Sequence, residues 1–178
     1  MDRQVLVAHA SKYGATAEIA ERIGELLRGE GLEARVLSAE RVRDLTPYRA
    51  VVLGSAVYMG GWQKKAARFL KSKWKALAER QVWLFSSGPT GQGDAAGLLH
   101  GWRFPKALQP VADRIRPRDV AVFHGFVNPE KLSPIEKGIL ERVGAPSGDF
   151  RDWQAIAAWA ATIAEALKAQ NLGPEKPV

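Results

Sequence analysis

The chain has 178 residues, of which 46% are hydrophobic, enough for one globular domain with a full core. It has no cysteine, which excludes disulfides, thiolate metal sites and a cysteine nucleophile, and its three histidines lack metal-binding spacing, so we expect no metal site. The formal net charge of +7 favours anionic ligands or surfaces, and no signal-like or bilayer-length apolar run is present, so the cytoplasm is the default expectation.

The chain opens with an apolar strand that leads through a short polar loop into an amphipathic helix. Residues Val5–Ala8 are typical of a strand buried on both faces, and apolar residues from Ile19 onward recur at helical spacing. Between them, Ser11 and Thr16 supply hydroxyl groups and Gly14 a permissive backbone. Because a helix N-terminus presents free N–H groups and a positive dipole end, this loop is a candidate phosphate site. The alternative is an ordinary strand-to-helix turn with Thr16 as N-cap.

Strands and helices continue to alternate along the chain, which predicts a parallel sheet covered on both faces. The pattern predicts further elements in this order: a strand at Glu33–Leu37, a strand at Ala50–Ala56, a helix near Gln63–Ala78, a strand at Gln81–Phe85, a helix at 105–115, a strand at Asp119–Val127 and a helix at Asp152–Ala169. We expect Trp153 and Trp159 of the last helix to pack in the core. Residues 1–170 should form one domain, with 171–178 as a flexible tail.

Three loops rich in glycine and hydroxyl groups follow the first, third and fourth predicted strands, at 10–16, 55–62 and 86–93. Ligands of doubly wound sheets bind beyond the C-terminal ends of the strands, so these loops should meet at one edge. In the second loop, Tyr58 is a candidate neighbour of a flat ring, whereas Trp62 either contacts the ligand or packs inward.

The third loop offers backbone N–H groups and a hydroxyl group, although its Gly-Pro pair would equally make a plain turn. Its candidate donors are the amides of Ser87, Gly88 and Gly91 and the hydroxyl of Thr90. A phosphate at the first loop and a planar ring between the other two describe a mononucleotide site.

These motifs resemble the flavodoxin-like family, and within it the branch that contains menaquinone-dependent protoporphyrinogen oxidase. The segment Ser11–Thr16 is similar to the family's phosphate loop, and Leu53–Tyr58 with Gly60 is similar to the second flavin loop of that branch. The segment Gly148–Ile156, in which a Trp opens the last helix, resembles the ending of the branch. The resemblance implies an α/β, three-layer doubly wound sandwich with a five-stranded parallel sheet of order 2-1-3-4-5, binding FMN non-covalently.

Carried over by position, the resemblance implies three sets of FMN-binding residues. The phosphate would be held by Ser11, Lys12, Tyr13, Gly14, Ala15 and Thr16. One side of the isoalloxazine ring would be flanked by Ala56, Val57, Tyr58, Met59 and Gly60. The other side would be flanked by Ser87, Gly88, Pro89, Thr90 and Gly91. No catalytic side chain is assigned, because the redox chemistry belongs to the cofactor.

Two features depart from the family pattern. His9 stands where the family usually has Phe or Tyr, and the chain is basic whereas electron-shuttling flavodoxins are acidic. The resemblance therefore implies an FMN-dependent oxidoreductase, with protoporphyrinogen as donor, a quinone as acceptor and a place in heme biosynthesis. The alternatives are a non-catalytic electron-transfer flavodoxin and a related fold that binds no flavin.

The helix predicted near Gln63–Ala78 carries a stripe of four cations: Lys64, Arg68, Lys71 and Lys75. Such a stripe is either a solvated surface or a contact for an acidic partner or an anionic membrane, which would place the protein at the inner membrane face. Further cations that would suit the propionates of a porphyrinogen lie in the irregular region: Arg103, Lys106, Arg114, Arg116 and Arg118. No nucleic-acid recognition motif accompanies the charge, so we expect no nucleic-acid partner.

Overall fold

Five parallel strands form the central sheet in the computed structural model, which describes residues 4–170. The strands run in chain order as β1 (Gln4–Ala10), β2 (Glu33–Ser38), β3 (Tyr48–Tyr58), β4 (Gly61–Trp62), β5 (Gln81–Ser87) and β6 (Asp119–Phe123). The sheet order is β2-β1-β3-β5-β6, with the short β4 pairing antiparallel with the end of β3. The predicted doubly wound order 2-1-3-4-5 is therefore confirmed for the five parallel strands.

Helices cover both faces of this sheet. They are α1 (Ala15–Gly29), α2 (Lys64–Ser72), α3 (Trp74–Ala78), α4 (Ala95–Leu98), α5 (Gln109–Ile115), α6 (Pro134–Val143) and α7 (Trp153–Ala169). Side chains alternate along a strand, so β1 serves two cores. Val5 and Val7 pack in the core under α1 and α7, whereas Leu6 and Ala8 pack in the core under α2, α3 and α5. None of the helices within residues 4–170 is long and apolar enough to cross a membrane.

A close contact between strands lies in the first of these cores. Gly54 of β3 and Phe85 of β5 are direct neighbours in the parallel register. The fully buried Phe85 ring occupies the space over Gly54, where an added Cβ would stand 1.9 Å from Phe85 Cζ. This position therefore requires glycine for space.

The helix predicted near Gln63–Ala78 is broken in two. Lys73 leaves helical geometry between α2 and α3, its amide donating to Phe69 O and its Nζ to Arg43 O at 2.8 Å. No glycine or proline marks this break in the sequence. The four cations of the predicted stripe are exposed, but they lie on two helices rather than one.

The fifth predicted strand is also shorter than expected, because β6 ends at Phe123. Residues Phe126–Val127 (β7) instead pair antiparallel with Gly148–Asp149 (β8). Between β7 and β8 the chain makes an excursion, residues 128–147, which contains the unpredicted α6. Ser133 caps α6 in a reciprocal capping box with Glu136, and Gly144 ends it in the left-handed conformation.

The two tryptophans of α7 have different environments. Trp159 is buried as predicted, packs edge-on against Phe85 and Phe123, and donates from Nε1 to Asp119 at 2.7 Å. Trp153 is 38% exposed, so the prediction that it packs in the core is wrong. As the first residue of α7 it lies at the helix end, where the Arg151 guanidinium stacks over its ring at 4.7 Å. The predicted flexible tail, 171–178, lies outside the described residues.

Candidate functional site

A cleft of about 190 Å³ lies at the C-terminal edge of the sheet, where the three predicted loops meet. Each loop contributes to its lining. The predicted residues that line it are Ser11, Lys12, Tyr13, Ala15, Thr16, Ala56, Val57, Tyr58, Ser87 and Gly88. Residues that were not predicted complete the lining: Gln63, Gly125, Phe126, Val127, Asn128, Leu132, Glu136, Ile139 and Leu140. The predicted residues that do not line it are Gly14, Met59, Gly60, Pro89, Thr90 and Gly91.

The first loop delivers an uncapped helix end to the cleft. Gly14 adopts a left-handed conformation with φ 97°, its amide donates to Ser11 Oγ at 2.9 Å, and α1 begins at Ala15. No side chain caps the first amides of α1. Thr16 is inside the helix, with its buried hydroxyl 3.3 Å from Ser87 Oγ, so the alternative of Thr16 as N-cap is wrong. Free helix-end amides of this kind favour an anion.

The second loop is shorter than predicted, because β3 continues to Tyr58 and β4 begins at Gly61. Trp62 packs inward, donating from Nε1 to Ser86 Oγ at 2.9 Å, and does not reach the cleft. Tyr58 lines the cleft and is 43% exposed, whereas Met59 at the turn is 79% exposed. The loop therefore presents one aromatic ring to the cleft and one apolar side chain to solvent.

The third loop is held tightly against the chain that follows β6. Gly88 donates its amide to Phe123 O at 3.2 Å, and Gly125 donates its amide to Pro89 O at 2.9 Å. A Cβ on Gly125 would stand 2.9 Å from Gly88 O, so the two backbones approach as closely as glycine allows. The walls of the cleft at Gly88 and Gly125 are consequently backbone, not side chain.

Helix α6 covers the cleft, and its Glu136 contacts the first loop. The carboxylate accepts hydrogen bonds from Tyr13 Oη at 2.8 Å, from the Ser133 amide at 2.9 Å and from Lys12 Nζ. Glu136 is only 8% exposed. The Lys12 hydrogen bond, with those from Ser133 and Tyr13, lowers the pKa of Glu136 to about 2, and the same contact raises the pKa of Lys12.

Lys12 itself lies between aromatic rings. Its Nζ stands 5.0 Å from the centre of the Tyr13 ring and 5.1 Å from that of Tyr58, within cation–π range. The sequence contains the signals for α6, a Ser-Pro start with Glu136 at the third helical position and Gly144 at the end. No spacing of residues in the sequence indicates that Glu136 contacts a loop more than a hundred residues earlier in the chain.

The five cations expected to receive propionates do not line this cleft. Arg118 donates its amide to Val82 O and precedes β6, which places it near the N-terminal ends of the strands. Arg114 and Arg116 lie with it at that edge, opposite the cleft. The prediction that these arginines lie near the ligand is therefore wrong, because α5 leads the chain back to the N-terminal edge of the sheet.

His9, near the end of β1, should make stability depend on pH. Burial lowers its pKa, against a smaller opposing effect of Glu21, and its Nδ1 has no partner within the described residues. The unfolded chain takes up a proton as pH falls through about 6.5 while the folded chain resists it, so stability is lost from there downward. We expect His9→Phe to raise the denaturation midpoint more at pH 5.5 than at pH 8, by calorimetry. An equal gain for His9→Phe at both pH values would contradict this account.

Comparison with known proteins agrees with this architecture. The model of the flavodoxin domain family matches residues 6–153. A flavodoxin from the domain Archaea superposes with a TM-score of 0.62 at 15% identity, over 93% of this chain and 99% of that chain. The rubredoxin oxygen:oxidoreductase of the anaerobe Desulfovibrio gigas superposes with a TM-score of 0.60 at 18% identity, over 96% of this chain and 37% of that chain. A mutant flavodoxin from Pseudomonas aeruginosa superposes with a TM-score of 0.56 at 17% identity, over 93% of this chain and 99% of that chain. No curated protein sequence matches the chain.

Proposed function

The chain belongs to the flavodoxin domain family, whose cofactor is FMN, and on that premise we propose that it is an FMN-dependent oxidoreductase acting at this cleft. The observation that carries the proposal is the meeting of the three strand-end loops beneath α6. When bound, FMN would supply two-electron redox chemistry, and the protein's part would be to bind it, orient it and exclude water.

The residues present fit this cofactor. The uncapped amides at the start of α1 suit a phosphate group, and the buried hydroxyls of Thr16 and Ser87 add donors. Val57 and Tyr58 and the adjoining backbone at Gly88 line the cleft and suit a flat ring. We therefore assign the phosphate to the loop 11–16 and the ring to the space between the other two loops.

We expect helix α6 to move outward when the cofactor enters. The cleft holds about 190 Å³, whereas sites for small molecules commonly span about 300–1,000 Å³. The cover consists of Leu132, Glu136, Ile139 and Leu140, which belong to one excursion anchored at the short β7–β8 pair. Moving that excursion outward enlarges the cleft without disturbing the central sheet.

The cover also favours an enzyme over a bare electron carrier, because a substrate held beneath α6 would react away from water. For the donor we propose a protoporphyrinogen-like tetrapyrrole and for the acceptor a quinone. Both assignments rest on the sequence resemblance of the loops and of the segment around Trp153.

An FMN titration followed by turnover tests the proposal. We expect the flavin-free protein to quench the fluorescence of added FMN at equal stoichiometry, and the loaded protein to oxidise protoporphyrinogen with a quinone under anaerobic conditions. Absence of quenching overturns FMN binding altogether. Quenching without turnover overturns only the proposed substrates.

The second candidate function is electron transfer between proteins. It is favoured by the rim of the cleft, where Tyr58 and Met59 expose apolar surface next to the proposed ring position. Such exposed apolar residues are typical of docking sites for partner proteins. Reduction of the loaded protein by a redox protein, without activity on small donors, would favour this candidate.

The exposed cations of α2 and α3 extend the proposal to peripheral membrane contact. Lys64, Arg68, Lys71 and Lys75 all face solvent. Each contributes about 1 kcal/mol when it lies against an anionic bilayer. We expect co-sedimentation with phosphatidylserine vesicles that falls when Arg68 and Lys71 are both replaced by Gln, and no co-sedimentation at all would overturn this contact.

Replacement of Glu136 by Gln should accelerate FMN association. The change removes a negative charge beside the proposed phosphate position and weakens the contact that holds α6 on the first loop. We expect association at least about threefold faster and affinity up to about tenfold tighter, measured by stopped-flow quenching of FMN fluorescence.

The exposed Glu141 of the same helix provides the matched control. Glu141→Gln makes the same charge change away from the cleft and should leave both constants unchanged. Slower association or weaker binding in Glu136→Gln would show that the carboxylate supports the cofactor rather than opposing it.

A further inference from the structure

A second cleft, of about 510 Å³, lies at the edge of the sheet opposite the proposed FMN site, and four arginines line it: Arg80, Arg114, Arg116 and Arg118. The remaining lining residues are Ala78, Gln81 and Ile115. We refer to it as the arginine cleft. It takes no part in the proposed flavin chemistry, because it lies at the N-terminal ends of β5 and β6.

The backbone and its neighbours hold these arginines in place. Arg80 donates from Nε to Tyr48 O at 2.8 Å and from Nη1 to Ala76 O at 2.5 Å. The Arg114 guanidinium stacks over the Trp74 ring at 5.1 Å. Two of the four side chains are therefore positioned before any ligand arrives, which lowers the entropy cost of binding.

The turn that brings the other two arginines to the cleft is strained. Arg116 ends α5 in the left-handed conformation, with φ 55° and ψ 64°, which is uncommon for a residue other than glycine. Arg118 follows two residues later, with its amide bonded to Val82 O at 2.7 Å. Backbone strain of this type persists where the surrounding structure enforces it, and it concentrates at ligand-binding positions.

Within residues 4–170, three of the four arginines of the cleft have no ion-pair partner. The nearby carboxylates have other partners: Asp113 accepts from Gln109 Nε2 at 2.7 Å, and Asp119 accepts from Trp159 Nε1 at 2.7 Å. The fourth arginine, Arg80, forms an ion pair through Nη1 with the exposed Glu79 at 3.9 Å, and Glu79 does not line the cleft.

The side chains of Arg116 and Arg118 have no hydrogen bond or ion pair with any described residue. Like charges gathered in one concave site repel each other, so the arrangement is stabilised when an anion enters.

We propose that the arginine cleft binds a small anion that carries two phosphate groups. Arginine presents a planar fork of donors that matches phosphate oxygens in a bidentate manner. A molecule with two phosphate groups carries more negative charge than one with a single phosphate group, so it neutralises more of the four guanidinium groups. The concave shape favours a small molecule over a flat membrane surface.

Calorimetric titration of inorganic pyrophosphate tests this proposal, with FMN present in excess so that the first loop is filled. We expect pyrophosphate to bind at least about tenfold more tightly than orthophosphate at equal ionic strength. Replacing Arg116 and Arg118 together by Gln should weaken pyrophosphate at least about tenfold. The matched control, Arg68 and Lys71 both replaced by Gln, removes the same charge from α2 and should leave the affinity within about twofold.

Arg116→Gly separates the ligand role from the fold. Glycine accepts the left-handed conformation, so this variant should keep or raise thermal stability while it weakens pyrophosphate binding. Three results would overturn the proposal: equal affinity for pyrophosphate and orthophosphate, an equal loss in the α2 control, or a loss in Lys12→Gln that matches the loss in the cleft variants. The last of these would place the anion at the first loop.

Discussion

Replacing Gly14 with leucine should weaken FMN binding by about 100-fold or more, equivalent to about 2.7 kcal/mol. Gly14 adopts φ 97°, a conformation that side chains rarely accept, and no atom crowds its missing Cβ. Leucine would therefore turn the backbone to negative φ, and the amides at the start of α1 would no longer converge on the proposed phosphate. Fluorescence titration with FMN measures the loss.

Gly31 is the matched control for that experiment. It also has positive φ, +81°, with open space around the missing Cβ, but lies in the turn between α1 and β2 at the other edge of the sheet. Gly31→Leu should lower stability by a similar amount and leave FMN affinity unchanged. If both variants lost the cofactor equally, the effect would be one of stability, and the assignment of phosphate to the first loop would lose its support.

Replacing Gly54 with alanine should lower the free energy of unfolding by about 3 kcal/mol or more. The added methyl would stand 1.9 Å from Phe85 Cζ. Because the Phe85 side chain is fully buried, the ring cannot avoid the methyl by turning towards solvent. A domain of this size is commonly stable by about 5–15 kcal/mol, so the variant should remain folded but near its limit. Urea denaturation followed by circular dichroism measures the change.

The double variant Gly54→Ala with Phe85→Leu tests the cause. Leucine is smaller than phenylalanine and lacks the ring atoms that the methyl would meet, so the double variant should be more stable than Gly54→Ala alone. Strictly additive losses would show that the two positions do not compete for space, contrary to the distance in the structure.

The sequence indicated the parallel sheet and the edge where the loops meet, since both follow from local patterns. Val5 to Ala8 and the strand around Val52 are buried on both faces and therefore appear as continuous apolar runs. Once the strands alternate with helices, the topology places the loops after them at a common edge. The first loop was identifiable for the same reason, because its glycine and hydroxyl groups stand between a strand and a helix.

The cover of the cleft could not be predicted, because it depends on contacts between distant parts of the chain. Glu136 lies in a short helix whose start signals are present, yet its partners Lys12 and Tyr13 are more than a hundred residues away. The break at Lys73 was hidden in the same way, since the side chain is fixed by a carbonyl group of Arg43 and not by any neighbour in sequence. The local sequence pattern predicts which helices and strands form, whereas hydrogen bonds between distant residues determine where these elements end and which residues they contact.

The short ladder between β7 and β8 makes the cover a separable part of the protein. Val127 and Gly148 are paired, so the ends of the excursion 128–147 are adjacent in space. A two-residue Asn-Gly turn spans such a pair, and the excursion can be exchanged for another sequence without altering the strands that carry the first loop. The cover of the cleft can thus be varied while the strand-end loops keep their backbone, and a library confined to residues 128–147 would replace one wall of the cleft while the rest of its lining stays constant.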